Sequence, residues 1–168
     1  MTTRTLFSLL FWTLAYLFLQ VFVFRNLVLF HYGFCFLYIA TTLQRPFAFP
    51  TVPLLFMAFG TGLVVDIFYN TLGLHAASTV LIAYARPLIL RLLTPARGYD
   101  ERLYPSISEM GLRWFISYAF LAALVHHTVL FFLEASTLSL LVPTLGKIGA
   151  SVLYTTVVLT LFQYFQGE

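Results

Sequence analysis

The chain has 168 residues, of which 61% are hydrophobic, 18% aromatic and 9% charged, with a formal net charge of +3. A soluble domain is about half apolar and a quarter charged, so a water-soluble globule, a disordered tail and a fibrous chain are all excluded. What remains is a polytopic membrane protein, in which a basic excess reports orientation and not nucleic-acid binding.

A spanning helix needs about 20 mostly apolar residues. In chain order the hydropathy predicts spans over about 6–24, 27–43, 52–68, 74–93, 112–133 and 147–165. The Arg86-Pro87 pair predicts a local kink in the fourth. Residues 94–111 form the one long polar stretch, rich in charge, Pro and Gly, and are expected outside the hydrocarbon. Residues 135–145 are apolar but broken by Pro143, and are expected either embedded or at the interface. The single cysteine, Cys35, reads as a small buried hydrophobe. The expectation is an all-α fold, one transmembrane domain over residues 1–168.

Six spans put both termini on one side. That side carries Arg4, Arg45, Arg91, Arg97, Arg102 and Arg113, against Arg25 and Lys147 on the other. The positive-inside rule then predicts cytoplasmic termini and a cytoplasmic long loop.

Ionisable residues inside spans are candidates for function. Asp66 follows Gly62 and Ala58 at four-residue steps, a small-residue row that lets a helix approach closely. Asp66 is expected either to meet a partner helix there, or to pack internally, capping a helix end or bonding Asn70. The Asn70–Gly73 connection predicts a tight turn with positive φ, which brings His75 near Asp66. In the fifth span, His127 and Glu134 share a face with Arg113, and His126 adjoins them. Lys147 is expected to pair with Glu134. Arg113, His126, His127, Glu134 and Lys147 form a candidate pocket, and His75, His126, His127, Asp66 and Glu134 are expected to converge in the outer half, with three readings: a static polar network, a zinc site or a proton relay. No nucleotide-binding loop and no acyl-transfer motif is present, and neither enzyme activity nor a cofactor is expected.

The run from Phe59 to Leu93 carries Gly62, Asp66, Gly73-Leu74-His75-Ala76 and Arg86-Pro87, followed by Gly98-Tyr99 and then His126-His127 with Phe131-Phe132-Leu133-Glu134. This order resembles the bacterial rod shape-determining MreD family, in its Bacteroidetes branch. The match covers spans three to five; the others agree in hydropathy only. The resemblance implies a non-enzymatic inner-membrane subunit of the cell-elongation (rod) complex. Such a subunit binds the transmembrane helix of MreC and helps couple MreB filaments to the RodA glycosyltransferase and its transpeptidase partner. It also implies a fold similar to the six-helix substrate-binding subunits of energy-coupling-factor transporters. Gly62, Asp66, Gly73 and His75 would be the family signature, with the Ala58–Gly62 face or the aromatic first helix as the MreC surface. Two alternatives follow from the same fold: a vitamin-type uptake subunit, and a pocket at Arg113, His126 and His127 for lipid-linked cell-wall precursor. Against uptake, the first span offers only Ala15 where docking rows are commonly Ala-x-x-x-Ala.

Overall fold

The computed structural model describes residues 3–135 and 140–166. Its helices are α1 (Thr3–Phe22), α2 (Ala40–Leu43), α3 (Thr51–Tyr69), α4 (Leu74–Leu92), α5 (Ile107–Met110), α6 (Leu112–Ala135) and α7 (Leu141–Gln166). The chain is mostly helical, and among the described residues four helices are long and apolar enough to cross a membrane: the one covering Phe7–Asn26, then α3, α6 and α7. Their apolar side chains point outward as well as inward, as in Phe11, Phe56 and Leu153, all more than half exposed. A helix that is hydrophobic all round is one whose solvent is apolar.

The second predicted span is not a helix. Residues 27–43 form a two-stranded hairpin, β1 (Val28–Leu29) with β2 (Gly33–Phe34), then an extended stretch, a 3-10 turn (Leu37–Ile39) and the single turn α2. Phe30 and His31 take positive φ, 49° and 64°, which no helix contains. The segment lies at the centre of the core: Leu37, Tyr38, Ile39 and Ala40 are all 0% exposed. Hydropathy counts apolar side chains, and this segment has them; it does not report whether the backbone bonds to itself.

The chain runs between two ends of the bundle. The α3–α4 turn and the β hairpin lie at one, the hairpin end. The 94–111 loop lies at the other, where Phe47 N–H donates to Leu103 O at 3.1 Å. Ser8 of α1 and Gln166 of α7 line one cavity with Tyr104 of the loop, so the outer ends of α1 and α7 share the loop end. The non-helical segment passes from Phe34, beside Phe131 of α6, to Gln44, beside Tyr16 of α1.

Two further boundaries differ from expectation. The last helix begins at Leu141, six residues before the predicted 147, and takes in Pro143 and Gly146. Pro143 stands in the first turn, where its missing N–H has no helical partner to lose. Of the ambiguous stretch 135–145, Ala135 ends α6 and 141–145 begin α7, while 136–139 lie outside the described residues. Pro87 lies within α4, which continues to Leu92.

Candidate functional site

The first polar centre ties α3 to α4. Asn70 ends α3 in the left-handed region, φ 56°, and Gly73 precedes α4 at φ 80°. Gly73 has no side chain to cap the helix it starts, so the first N–H groups of α4 need an acceptor from elsewhere. Asp66 supplies it from α3: its Oδ1 accepts from His75 N–H at 3.0 Å and its Oδ2 from Ala76 N–H at 2.9 Å. Thr71 Oγ1 donates to Oδ1 at 2.5 Å, and His75 Nδ1 lies 3.1 Å away. A carboxylate 2% exposed is thus held by donors at a helix N-terminus, where negative charge is favoured.

This approach requires Gly62. A Cβ there would stand 2.5 Å from Ala76 Cα and 2.8 Å from His75 O, backbone atoms that cannot yield. Ala58, 0% exposed, packs with Leu54 and Ala83 farther along the same interface. Ala58, Gly62 and Asp66 therefore face α4 of their own chain, which is the internal-packing alternative of the two expected for Asp66. The Asp66–Asn70 side-chain bond is replaced by backbone capping, in which Asn70 N–H bonds Asp66 O.

The second centre surrounds Phe36 and Tyr38 of the non-helical segment. Phe36 meets the rings of His75, His126 and His127 at centroid distances of 5.3, 5.6 and 5.2 Å. Tyr38 OH lies 2.7 Å from His126 Nε2. His127 Nδ1 sits 2.7 Å from Ala123 O, which only accepts, so this ring is protonated on Nδ1 and its Nε2 accepts from Thr155 at 3.1 Å. The Nε2 of His75 and the Nδ1 of His126 are buried with no partner among the described residues.

The backbone of the non-helical segment bonds to side chains of α1 and α7. Phe34 N–H donates to Ser151 Oγ at 2.9 Å and Phe36 N–H to Thr155 Oγ1 at 3.1 Å. Gln20 spans the other side, its Nε2 donating to Cys35 O at 3.1 Å and its Oε1 accepting from Tyr38 N–H at 3.3 Å. Irregular backbone at membrane depth is tolerated only when it is buried in protein and its polar groups are satisfied. Gln20, Ser151 and Thr155, each 0% exposed, do that work. The sequence signal was present: a glutamine within a 20-residue apolar run, and Ser and Thr four apart on α7.

The third centre is at the loop end. Arg86, 2% exposed, donates from Nε to Tyr118 OH at 3.0 Å and from Nη2 to the carbonyls of Arg45 and Pro46. Tyr118 OH passes its own proton to Leu43 O at 3.1 Å. Arg45, read from sequence as a flanking surface charge, is 3% exposed.

The remaining candidates do not form one pocket. Arg113 is exposed at the loop end of α6 and Glu134 is at the other end, 21 residues or about 31 Å along the helix. Lys147 Nζ lies 3.3 Å from Glu134 Oε2 in an exposed pair, and also faces the Phe34 and Phe131 rings at 5.5 Å each. His126 and His127 are 0% exposed between these ends. Among the described residues no three His, Cys, Asp or Glu side chains are grouped to hold a metal ion. In comparisons with known families, curated proteins and solved structures, nothing matches this chain.

Proposed function

We propose that this chain is a non-enzymatic inner-membrane subunit of the bacterial cell-elongation complex, one that binds the transmembrane helix of MreC and helps couple MreB filaments to peptidoglycan synthesis. The observation that supports this reading is the interdependence of Gly62, Asp66, Gly73 and His75. They are the residues on which the resemblance to the MreD family rests, and they make up a single interhelical joint in this chain. The fold in this reading is that of a six-pass bundle related to energy-coupling-factor substrate-binding subunits. Its second pass is the non-helical segment.

In this reading the loop end faces the cytoplasm. Exposed Arg91, Arg97, Arg102 and Arg113 lie at that end, against exposed Arg25 and partly exposed Lys147 at the hairpin end. The MreC helix docks on the aromatic outer face of α1, where Phe7, Phe11, Phe18 and Phe22 are 60–71% exposed. Burial of the Ala58–Gly62 face within the chain leaves α1 as the candidate surface. The test is co-purification of the full chain with MreC. Phe11→Ala together with Phe18→Ala should lower recovery of MreC while the chain keeps its own melting temperature. Undiminished recovery refutes the α1 contact, and absence of any MreC complex with the unaltered chain refutes the assignment.

A further inference from the structure

One cavity of the protein takes no part in the interhelical joint or the ring cluster. It lies at the loop end, encloses about 550 Å³, and is bounded by α1, the end of the non-helical segment, the loop near Tyr104 and Ser106, and the last turn of α7. Small-ligand sites fall in the range of roughly 300–1,000 Å³. Among the described residues no Asp or Glu lines it.

Its lining has an excess of donors. Arg45 uses Nε on Thr41 O at 2.7 Å and Nη2 on Thr13 Oγ1 at 2.6 Å, and its Nη1 has no acceptor among the described residues. Gln44 accepts from Tyr16 OH at 2.7 Å, while its Nε2 is buried without a partner. Arg86 stands behind, bonded to the Arg45 carbonyl. Among the described residues neither arginine has a carboxylate within ion-pair distance. Two neighbouring buried cations without a counter-charge are costly, and a bound anion offsets that cost.

We infer that this cavity holds a phosphate group, with Arg45 as its counter-charge and Gln44 as a second donor. A guanidinium fork matches phosphate oxygens, and the hydroxyls of Ser106 and Ser108 in the lining suit an anion with several oxygens. Trp12 lines the cavity and is 41% exposed on the outer face of α1. An aromatic side chain placed so belongs at the level of lipid headgroups. Phosphate chemistry there is offered by a lipid headgroup or by free phosphate. The inference concerns this cavity alone and stands apart from the assignment to the elongation complex.

The experiment places the full chain in nanodiscs of phosphatidylcholine with and without phosphatidylglycerol, and in phosphatidylcholine discs with inorganic phosphate. Thermal stability and lipid retained through delipidation in mild detergent are read by melting curves and mass spectrometry. Arg45→Gln removes the counter-charge; Ser108→Trp fills the cavity and leaves Arg45 intact; Arg97→Gln removes an exposed charge at the same end as a control. Phosphatidylglycerol retention should fall at least about tenfold in the first two variants and stay unchanged in the third, since a charged hydrogen bond contributes about 1.5–3 kcal/mol. Stabilisation by phosphatidylglycerol alone assigns a lipid headgroup. Stabilisation by inorganic phosphate as well, lost in Arg45→Gln and Ser108→Trp, assigns free phosphate. No response to either probe, or a response that both Arg45→Gln and Ser108→Trp retain, overturns the inference.

Discussion

Phe36 N–H donates to Thr155 Oγ1 at 3.1 Å, so a backbone group in the non-helical segment depends on a side chain in the last helix. The two residues are 119 apart in sequence. Thr155→Val keeps the shape and removes the acceptor. The Phe36 N–H and His127 Nε2 then lose their partner together, which costs about 1–3 kcal/mol. Thr160→Val, which breaks only a bond to its own helix at Thr156 O, is the comparison. Melting curves in detergent should show a clear loss for the first and a change within about 0.5 kcal/mol for the second.

Gly62 and Gly60 lie two residues apart on α3 and make opposite predictions. Gly62→Ala drives a methyl into the Ala76 backbone, whereas a Cβ at Gly60 meets nothing within 4 Å. Gly62→Ala should destabilise by about 1–3 kcal/mol, the usual range for overpacking. Gly60→Ala should be neutral or stabilising by up to about 1 kcal/mol, through helix propensity. Equal melting temperatures for the two variants would refute the close approach.

Asp66→Leu leaves the N–H groups of His75 and Ala76 without acceptors at a buried helix start. The expected loss is roughly 2–4 kcal/mol, at about 1–3 kcal/mol for each orphaned donor. Asp66→Asn keeps one oxygen and should lose less. Hydrogen exchange at the first turn of α4 separates this local opening from global unfolding, and protection there should fall before protection in α6.

Arg86→Lys preserves charge but replaces a fork with a point. A lysine cannot reach Tyr118 OH and the Arg45 and Pro46 carbonyls at once. Loss of charged hydrogen bonds of this kind costs about 1.5–3 kcal/mol, to be read as a lower melting temperature. Tyr118→Phe in the Arg86→Lys background should add less than it does alone, because both residues belong to one chain of bonds.

The α3–α4 joint was legible in the sequence because its parts are local. A glycine, an aspartate four later and a Gly-x-His fit within fourteen residues, and a short turn forces them together. The long helices were legible for the reason hydropathy works in general: length and apolar content set them. The conformation of residues 27–43 was not legible, because what decides it is distant. Gln20, Ser151 and Thr155 satisfy its backbone, and nothing in residues 27–43 announces those partners. Arg45 lies at the loop end as expected, but its burial was not legible, for a related reason. A charge at the edge of an apolar run reads as a surface residue, and only the fold shows that α1 and the 94–111 loop close over it.

The non-helical segment also has a consequence for biogenesis. A segment that cannot close its own hydrogen bonds is not released into lipid by itself as it leaves the translocon. Its acceptors Ser151 and Thr155 are synthesised more than a hundred residues later. The bonding of residues 27–45 is therefore completed only once the last helix is present, and nascent chains stopped short of it should be more accessible to aqueous thiol reagents at Cys35 than the full chain.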